Sequence, residues 1–472
     1  MTERGATDDI TGSGPDADID IDIDIRDTDI GVGRDTGRDI GVDIDPGLAA
    51  LMREVERACR PDIERLDALA GRNLARVLEA FRHVGVTDQD FGGTTGYGYD
   101  DRGREVAEAL FARVFGAEAA IVRHQIVSGT HALALCLFGL LLPGDEVLFA
   151  SGEPYDTLRD VVGMAGPVPG SLAELGVTWR VVPREGEGQA LDVDRIRRAV
   201  HERTKVVFIQ RSRGYSWQSS VPVHEIERVA RAVREDKPDA IVVVDNCYGE
   251  FTEDREPTGA GADVVAGSLI KNPGGGIAPA GGYIAGKRRL IERIAARLTA
   301  PGVGAAIGPS LGQSRLILQG FFLAPIMVAE SMAGTRVAAH VFRVLGYPVL
   351  PRDREQPSDT VLAVRMFSRD RLVTFCRGFH LASPVNARYA PEPCPLPGYS
   401  DSVIMAGGTF VQGSSSELTV DAPLRPPYTA YIQGGLSRHH VRLAVLAGLT
   451  ALARKGMLRP AEAAEAGAAD TR

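Results

Sequence analysis

Apolar residues recur at helical spacing from Leu48 to about Phe81: Leu51, Val55 and Ala58, then Leu66 and Leu69, in an Ala/Leu/Arg/Glu-rich stretch. The Gly/Tyr-rich segment FGGTTGYGYDDRGRE interrupts this pattern and predicts a loop, followed by a helix over 105–115. Short β-branched runs then alternate with amphipathic stretches. Strands are expected over 146–150, 205–210, 240–245 and 264–267, and helices over 131–141, 193–201 and 223–235. Such alternation predicts an α/β fold with a mostly parallel central sheet and helices on both faces. Two further long amphipathic or apolar stretches run from residue 308 to about 345. Beyond Gly346-Tyr347-Pro348 the pattern reads as a smaller mixed α+β domain, and residues 461–472 as a frayed tail. No internal repeat is visible. The implied division is a leader over 1–46, a helical arm and loop over 47–104, a large domain over 105–335 and a small domain over 336–460.

Charge separates the leader from the rest. Residues 1–45 hold fourteen Asp/Glu against four Arg, a local balance of −10, so the remainder of a chain with net charge −9 sits at +1. Alternating Ile and Asp mimic a strand, but a carboxylate at every other position repels its neighbours; a disordered leader is expected, with an acidic docking tail as the alternative. No basic stripe marks a nucleic-acid partner. No run of about 18 apolar residues is present, and the N-terminus lacks the basic-then-apolar order of a secretory signal, so no membrane partner and a cytoplasmic location are expected. Five scattered cysteines without a Cys-x-x-Cys pair suit free, mostly buried thiols rather than a disulfide framework or a metal site.

Four segments could carry chemistry. In GADVVAGSLIKNPGGG an apolar strand runs into Lys271 and a Gly-rich loop. A lysine desolvated there becomes a competent amine nucleophile, although a lysine after a strand, taken alone, more often snorkels to the surface. In AIVVVDNCYGEF, Asp245 ends a buried-strand signature, where a carboxylate could hold a pyridinium nitrogen protonated or merely cap the next turn. Ser128-Gly129-Thr130 opens a strongly apolar helix, whose free N–H groups suit a phosphate but also an ordinary N-cap. Tyr155 follows another strand, placed to stack on a planar ligand or to pack on its own loop.

In this order the segments resemble the fold-type I enzymes that use pyridoxal 5′-phosphate (PLP), in the cysteine/methionine-metabolism group, and most of all the methionine gamma-lyase-like proteins also called aluminium resistance proteins. The resemblance covers roughly residues 54–452 and is carried by GTTGYGYDDRGRE, VSGTHA, DNCYGEF, SLIKNPGGG and APLRPPYTAYIQGGL. It implies a PLP Schiff base on Lys271, Asp245 at the ring nitrogen, Tyr155 stacked on the ring, and Gly129, Thr130 and Ser268 at the phosphate. It implies that Tyr97, Tyr99 and Arg102 reach a neighbouring subunit's site in a homodimer or homotetramer. Arg425 is the candidate partner of a substrate carboxylate, and Gln210 a contact to cofactor or substrate. The trans-sulfuration enzymes carry Ser or Thr directly before the lysine; here Ile270 stands there and Asn272-Pro273-Gly274-Gly275-Gly276 follows, so their substrate preference does not transfer. The expected reaction is β- or γ-elimination from a sulfur amino acid; an aminotransferase and a non-catalytic PLP-binding regulator are the competing readings.

Overall fold

The computed structural model describes residues 43–459 apart from 165, 167, 187, 189, 354 and 397. Nearly all of the acidic leader and the whole expected tail lie outside the described residues. At the leader's end Asp45 caps the first helix, accepting the Leu48 N–H at 2.9 Å, with Pro46 at the position where its missing N–H costs nothing. The N-terminal helical pattern is two helices, α1 (Pro46–Ala58) and α2 (Arg60–Val84), separated at Cys59 because Pro61 suits a first helical turn and not a helix interior.

The helix expected over 105–115 starts earlier, as α3 (Arg102–Phe115), because Asp101 caps it. One Asp101 oxygen accepts the Arg104 N–H at 3.0 Å; the other accepts the Ser310 N–H at 2.7 Å and the Thr94 hydroxyl at 2.5 Å. Burial opposes this charge, yet these hydrogen bonds pull the carboxyl down to about 2. Asp101→Ala would strip a cap and orphan two buried donors, and is expected to lower stability by about 2–4 kcal/mol. Urea unfolding of parent and variant measures this; a loss under about 0.5 kcal/mol, the size of a neutral surface change, would refute it.

A seven-stranded sheet follows, built from β1 (Ala119–Arg123), β2 (Glu146–Phe149), β3 (Thr178–Val181), β4 (Thr204–Gln210), β5 (Ile241–Asp245), β6 (Val264–Ser268) and β7 (Gly282–Gly286). Its order is β1-β7-β6-β5-β4-β2-β3, parallel except for β7, which runs antiparallel to both β1 and β6. The helices α4 (Gly129–Leu140), α5 (Asp156–Val162), α6 (Val193–Ala199) and α7 (Val223–Asp236) connect successive strands from β1 to β5, and α8 (Arg288–Leu298) follows β7. Val/Ile/Leu-rich strands are buried on both faces, with one apolar cluster on each side of the sheet.

The two stretches expected between 308 and 345 form one helix, α9 (Ser314–Val344), which Pro325 lies within and does not end. By length and composition α9 could cross a membrane, but 67% of its most apolar window is buried, with α2 among its packing partners. Its second half enters a separate core with an antiparallel sheet, β8 (Val349–Leu350), β9 (Val361–Arg365), β10 (Val403–Ala406), β11 (Thr419–Pro423) and β12 (Thr429–Gln433), in the order β10-β11-β12-β9-β8. Helices α10 (Arg369–His380), α11 (Ser415–Leu418) and α12 (Arg438–Arg454) accompany this sheet. Leu48, Met52 and Val55 of α1 pack into the same core, so the arm's beginning and the chain's last third are one apolar body.

Candidate active site

The parallel register brings the chemistry-bearing residues to one edge. Gln210 at the end of β4 pairs with Asp245 at the end of β5, and Asp245 pairs with Ala266 two residues before the end of β6. A cavity of about 690 Å³ opens there, at the carboxyl ends of the strands where ligands of open α/β sheets bind. Lys271, Asp245, Tyr155 and Gln210 line it, as do Ser128, Gly129 and Thr130 from the start of α4 and Ser268 from β6.

Lys271 does not snorkel. Its Nζ lies 4.1 Å from the centre of the Tyr248 ring, a residue held at φ 68° just beyond β5. Burial opposes the ammonium, but the surrounding Cys247, Tyr248, Asp245 and Tyr155 outweigh it and hold the Lys271 pKa above its ordinary range. Asp245 is 4% exposed; burial raises its carboxyl, while Lys271 and the Cys247 N–H, donating to Oδ1 at 3.0 Å, draw it down. Tyr155 donates its hydroxyl to Thr130 Oγ1 at 2.9 Å and its backbone N–H to Gln210 Oε1 at 2.9 Å, so Gln210 fixes the Tyr155 backbone. The Tyr155 phenol is pushed upward by burial and stays protonated at neutral pH.

The start of α4 is shaped for a close ligand. Ser128 caps it by accepting the His131 N–H at 3.0 Å, and the Ser128 hydroxyl hydrogen remains to donate. A Cβ on Gly129 would sit 3.2 Å from Cys247 Sγ and 3.3 Å from Ser268 Cβ, closing the gap between helix and strand. N–H groups at that helix start, the Thr130 and Ser268 hydroxyls, a buried carboxylate and a lysine amine fit the phosphate, ring nitrogen and aldehyde of PLP. The glycines after Lys271 serve packing instead: a Cβ on Gly275 would lie 2.2 Å from the Gly320 carbonyl of α9.

Arg425 does not line the cavity, and neither do Tyr97, Tyr99 and Arg102, which are expected at a neighbouring subunit's site. Tyr97 and Tyr99 are 70% and 62% exposed with their rings 5.6 Å apart, and Arg102 pairs with Asp90. Arg425 pairs with Asp401 at 3.0 Å and donates to the Tyr215 carbonyl at 3.3 Å. Sequence reasoning missed an opposite wall. Tyr248 donates to Gln433 Oε1 at 2.5 Å, Gln433 Nε2 donates to Asp421 Oδ2 at 2.6 Å, and the Tyr215 hydroxyl donates to the same oxygen at 2.9 Å. Tyr248 stood inside DNCYGEF, three residues after Asp245, and could have been read there. Asp421 and Gln433 lie in strands of the small domain, and nothing local marks them.

Behind the site, Glu250 accepts the Tyr283 hydroxyl at 2.7 Å while its other oxygen is buried without a hydrogen-bond partner among the described residues. Burial pushes this carboxyl up from 4.5 to about 8. The folded state then keeps a proton that the unfolded chain releases, so its contribution is present below about pH 4.5 and is lost as pH rises towards 8. Glu250→Gln is expected to flatten the fall in stability over that window. Urea midpoints measured at pH 5 and pH 8 check this, and equal slopes in parent and variant would contradict it.

A family model described as methionine gamma-lyase matches residues 48–453. The Bacillus subtilis protein YnbB is 44% identical over 412 residues, spanning 87% of this chain and 98% of its own. Among solved structures, a Clostridium novyi carbon–sulfur lyase involved in aluminium resistance superposes with a TM-score of 0.82 at 39% identity, over 86% of this chain and 96% of that one. A Listeria monocytogenes candidate cystathionine beta-lyase involved in aluminium resistance superposes with a TM-score of 0.82 at 44% identity, over 85% of this chain and 99% of its own. The order of segments, the sheet topology and these full-length matches agree: the chain belongs to the methionine gamma-lyase family of fold-type I, carbon–sulfur lyase-like enzymes.

Proposed function

We propose that the protein is a PLP-dependent lyase that cleaves a carbon–sulfur bond of an amino acid by β- or γ-elimination. The observation that carries this reading is the convergence of Lys271, Asp245, Tyr155 and the start of α4 on one cavity. Lys271 would bind the cofactor's aldehyde carbon, Asp245 its ring nitrogen, Tyr155 its ring face, and Ser128, Gly129, Thr130 and Ser268 its phosphate. When bound, PLP supplies an electron sink for negative charge developing at the substrate Cα.

The chain's own residues do the rest. The Lys271 amine, released when substrate binds, is placed to take the Cα proton. Asp245 keeps a positive charge at the far end of the ring. Tyr155, protonated at neutral pH, can hand its proton to the departing sulfur, with Thr130 holding its hydroxyl. Arg425 would orient the substrate carboxylate after exchanging its Asp401 partner, and the exposed Tyr97, Tyr99 and Arg102 would complete the site of a second copy. One water is consumed overall, and a 2-oxo acid, ammonium and a thiol leave.

The test is a product assay on PLP-loaded protein with methionine, cysteine, homocysteine and cystathionine. Thiol released together with an equal amount of 2-oxo acid supports elimination. Amino transfer to an added 2-oxo acid without thiol would identify an aminotransferase, and no turnover on any of them would leave a binding protein.

A further inference from the structure

The cavity's far wall holds a carboxylate that the elimination chemistry does not use. Asp421, on β11, lines the cavity. Its Oδ2 is saturated by two neutral donors, Tyr215 at 2.9 Å and Gln433 Nε2 at 2.6 Å, while no hydrogen bond reaches Oδ1 among the described residues. Nearby Asp359 shows what a structural carboxylate looks like here: Arg213 spans both its oxygens at 3.2 and 3.3 Å. Of the described side chains lining the cavity, Lys271 alone is basic, and it is the charged neighbour acting on Asp421. With the Lys271 amine bound to the cofactor's aldehyde carbon, no ammonium or guanidinium lining the cavity is left to face Asp421 among the described residues. A half-desolvated carboxylate left in that state is costly, and a cationic ligand group offsets the cost.

Position decides which part of a substrate arrives there. Tyr248 lies against Lys271 and donates to Gln433, which donates to Asp421, so two side chains link Lys271 to the carboxylate across the cavity. A substrate held by its α-amino group near Lys271 would extend its side chain past Tyr248 towards Asp421. We propose that Asp421 receives a distal ammonium, making the preferred substrates sulfur amino acids that carry a second amino group on the side chain; this rests on the lyase reading. Tyr215 and Gln433 act as positioning residues, fixing the carboxylate so that Oδ1 is offered to the ligand.

The probes are S-(2-aminoethyl)-L-cysteine and S-propyl-L-cysteine, which have equal length and differ only in the terminal ammonium. A charge-assisted hydrogen bond of ordinary strength predicts that kcat/KM for thiol release favours the aminoethyl compound by roughly 10- to 100-fold. The isosteric Asp421→Asn is expected to bring the ratio to within about threefold. The same pair is titrated calorimetrically into PLP-loaded Lys271→Ala, where the Kd ratio reads the ammonium subsite without turnover. Thiol release with no preference in the parent, or a preference that Asp421→Asn leaves intact, overturns the proposal while the lyase reading stands. If neither compound releases thiol, the β-elimination half of that reading fails, the corresponding homocysteine thioethers test the γ half, and the calorimetric ratio decides the subsite. Should Asp421→Asn not fold, the parent's ratio decides.

Discussion

Lys271→Ala is expected to lower thiol release by at least about 10³-fold and to remove the visible absorbance of protein incubated with PLP. Two losses coincide because one amine is assigned two tasks, covalent attachment of the cofactor and proton removal at Cα. No second basic side chain lines the cavity among the described residues, so nothing within this chain replaces it. The variant should fold: Lys271 follows β6 in a short turn, and its Nζ lies over the Tyr248 ring at the cavity wall. Spectra before and after borohydride, with circular dichroism as the control for folding, test both losses. A folded variant that keeps a borohydride-sensitive visible band would remove Lys271 from its assigned place.

Asp245→Asn is expected to cost roughly 10²–10³ in turnover, the scale of removing one preorganised electrostatic group from a water-poor site. Asparagine fills the same space and can still accept from the Cys247 N–H at the end of β5. What it lacks is the negative charge that keeps the ring nitrogen protonated. The chromophore should therefore survive while the rate falls, a split that distinguishes this variant from Lys271→Ala. A turnover within about tenfold of the parent would show that the carboxylate only caps the turn, the alternative open from sequence alone.

Asp245 was legible because it ends a short, uniformly apolar run, and Lys271 because it closely follows another strand signature; parallel strands deliver their ends to a common edge. The helix start at Ser128 was legible for a similar reason, since capping and phosphate binding use the same local N–H groups. Asp421 and Gln433 were not. They sit in strands of the other sheet, more than 140 residues after Lys271, and only the packing of the two sheets sets them across the cavity. Arg425 has the right chemistry for a carboxylate, and its resting partner Asp401 is far enough away in sequence that only the fold introduces them. The single helix α9 escaped because Pro325 argues locally for a break, while burial against α2 and α12 stabilises the continuous form.

By itself, then, the sequence determined the fold class, the family and the residues at the strand ends, all of which follow from patterns within about ten residues and from the order of segments. The tertiary structure alone decided which side chains face one another: that Tyr248 covers Lys271, that Gln210 holds the Tyr155 backbone, and that a partly satisfied carboxylate waits on the opposite wall. The physical reason is one of range. Hydrogen-bond ladders, caps and apolar periodicity act between near neighbours and are written along the chain, whereas a binding site is a set of distances between segments that only the closing of both cores brings within reach.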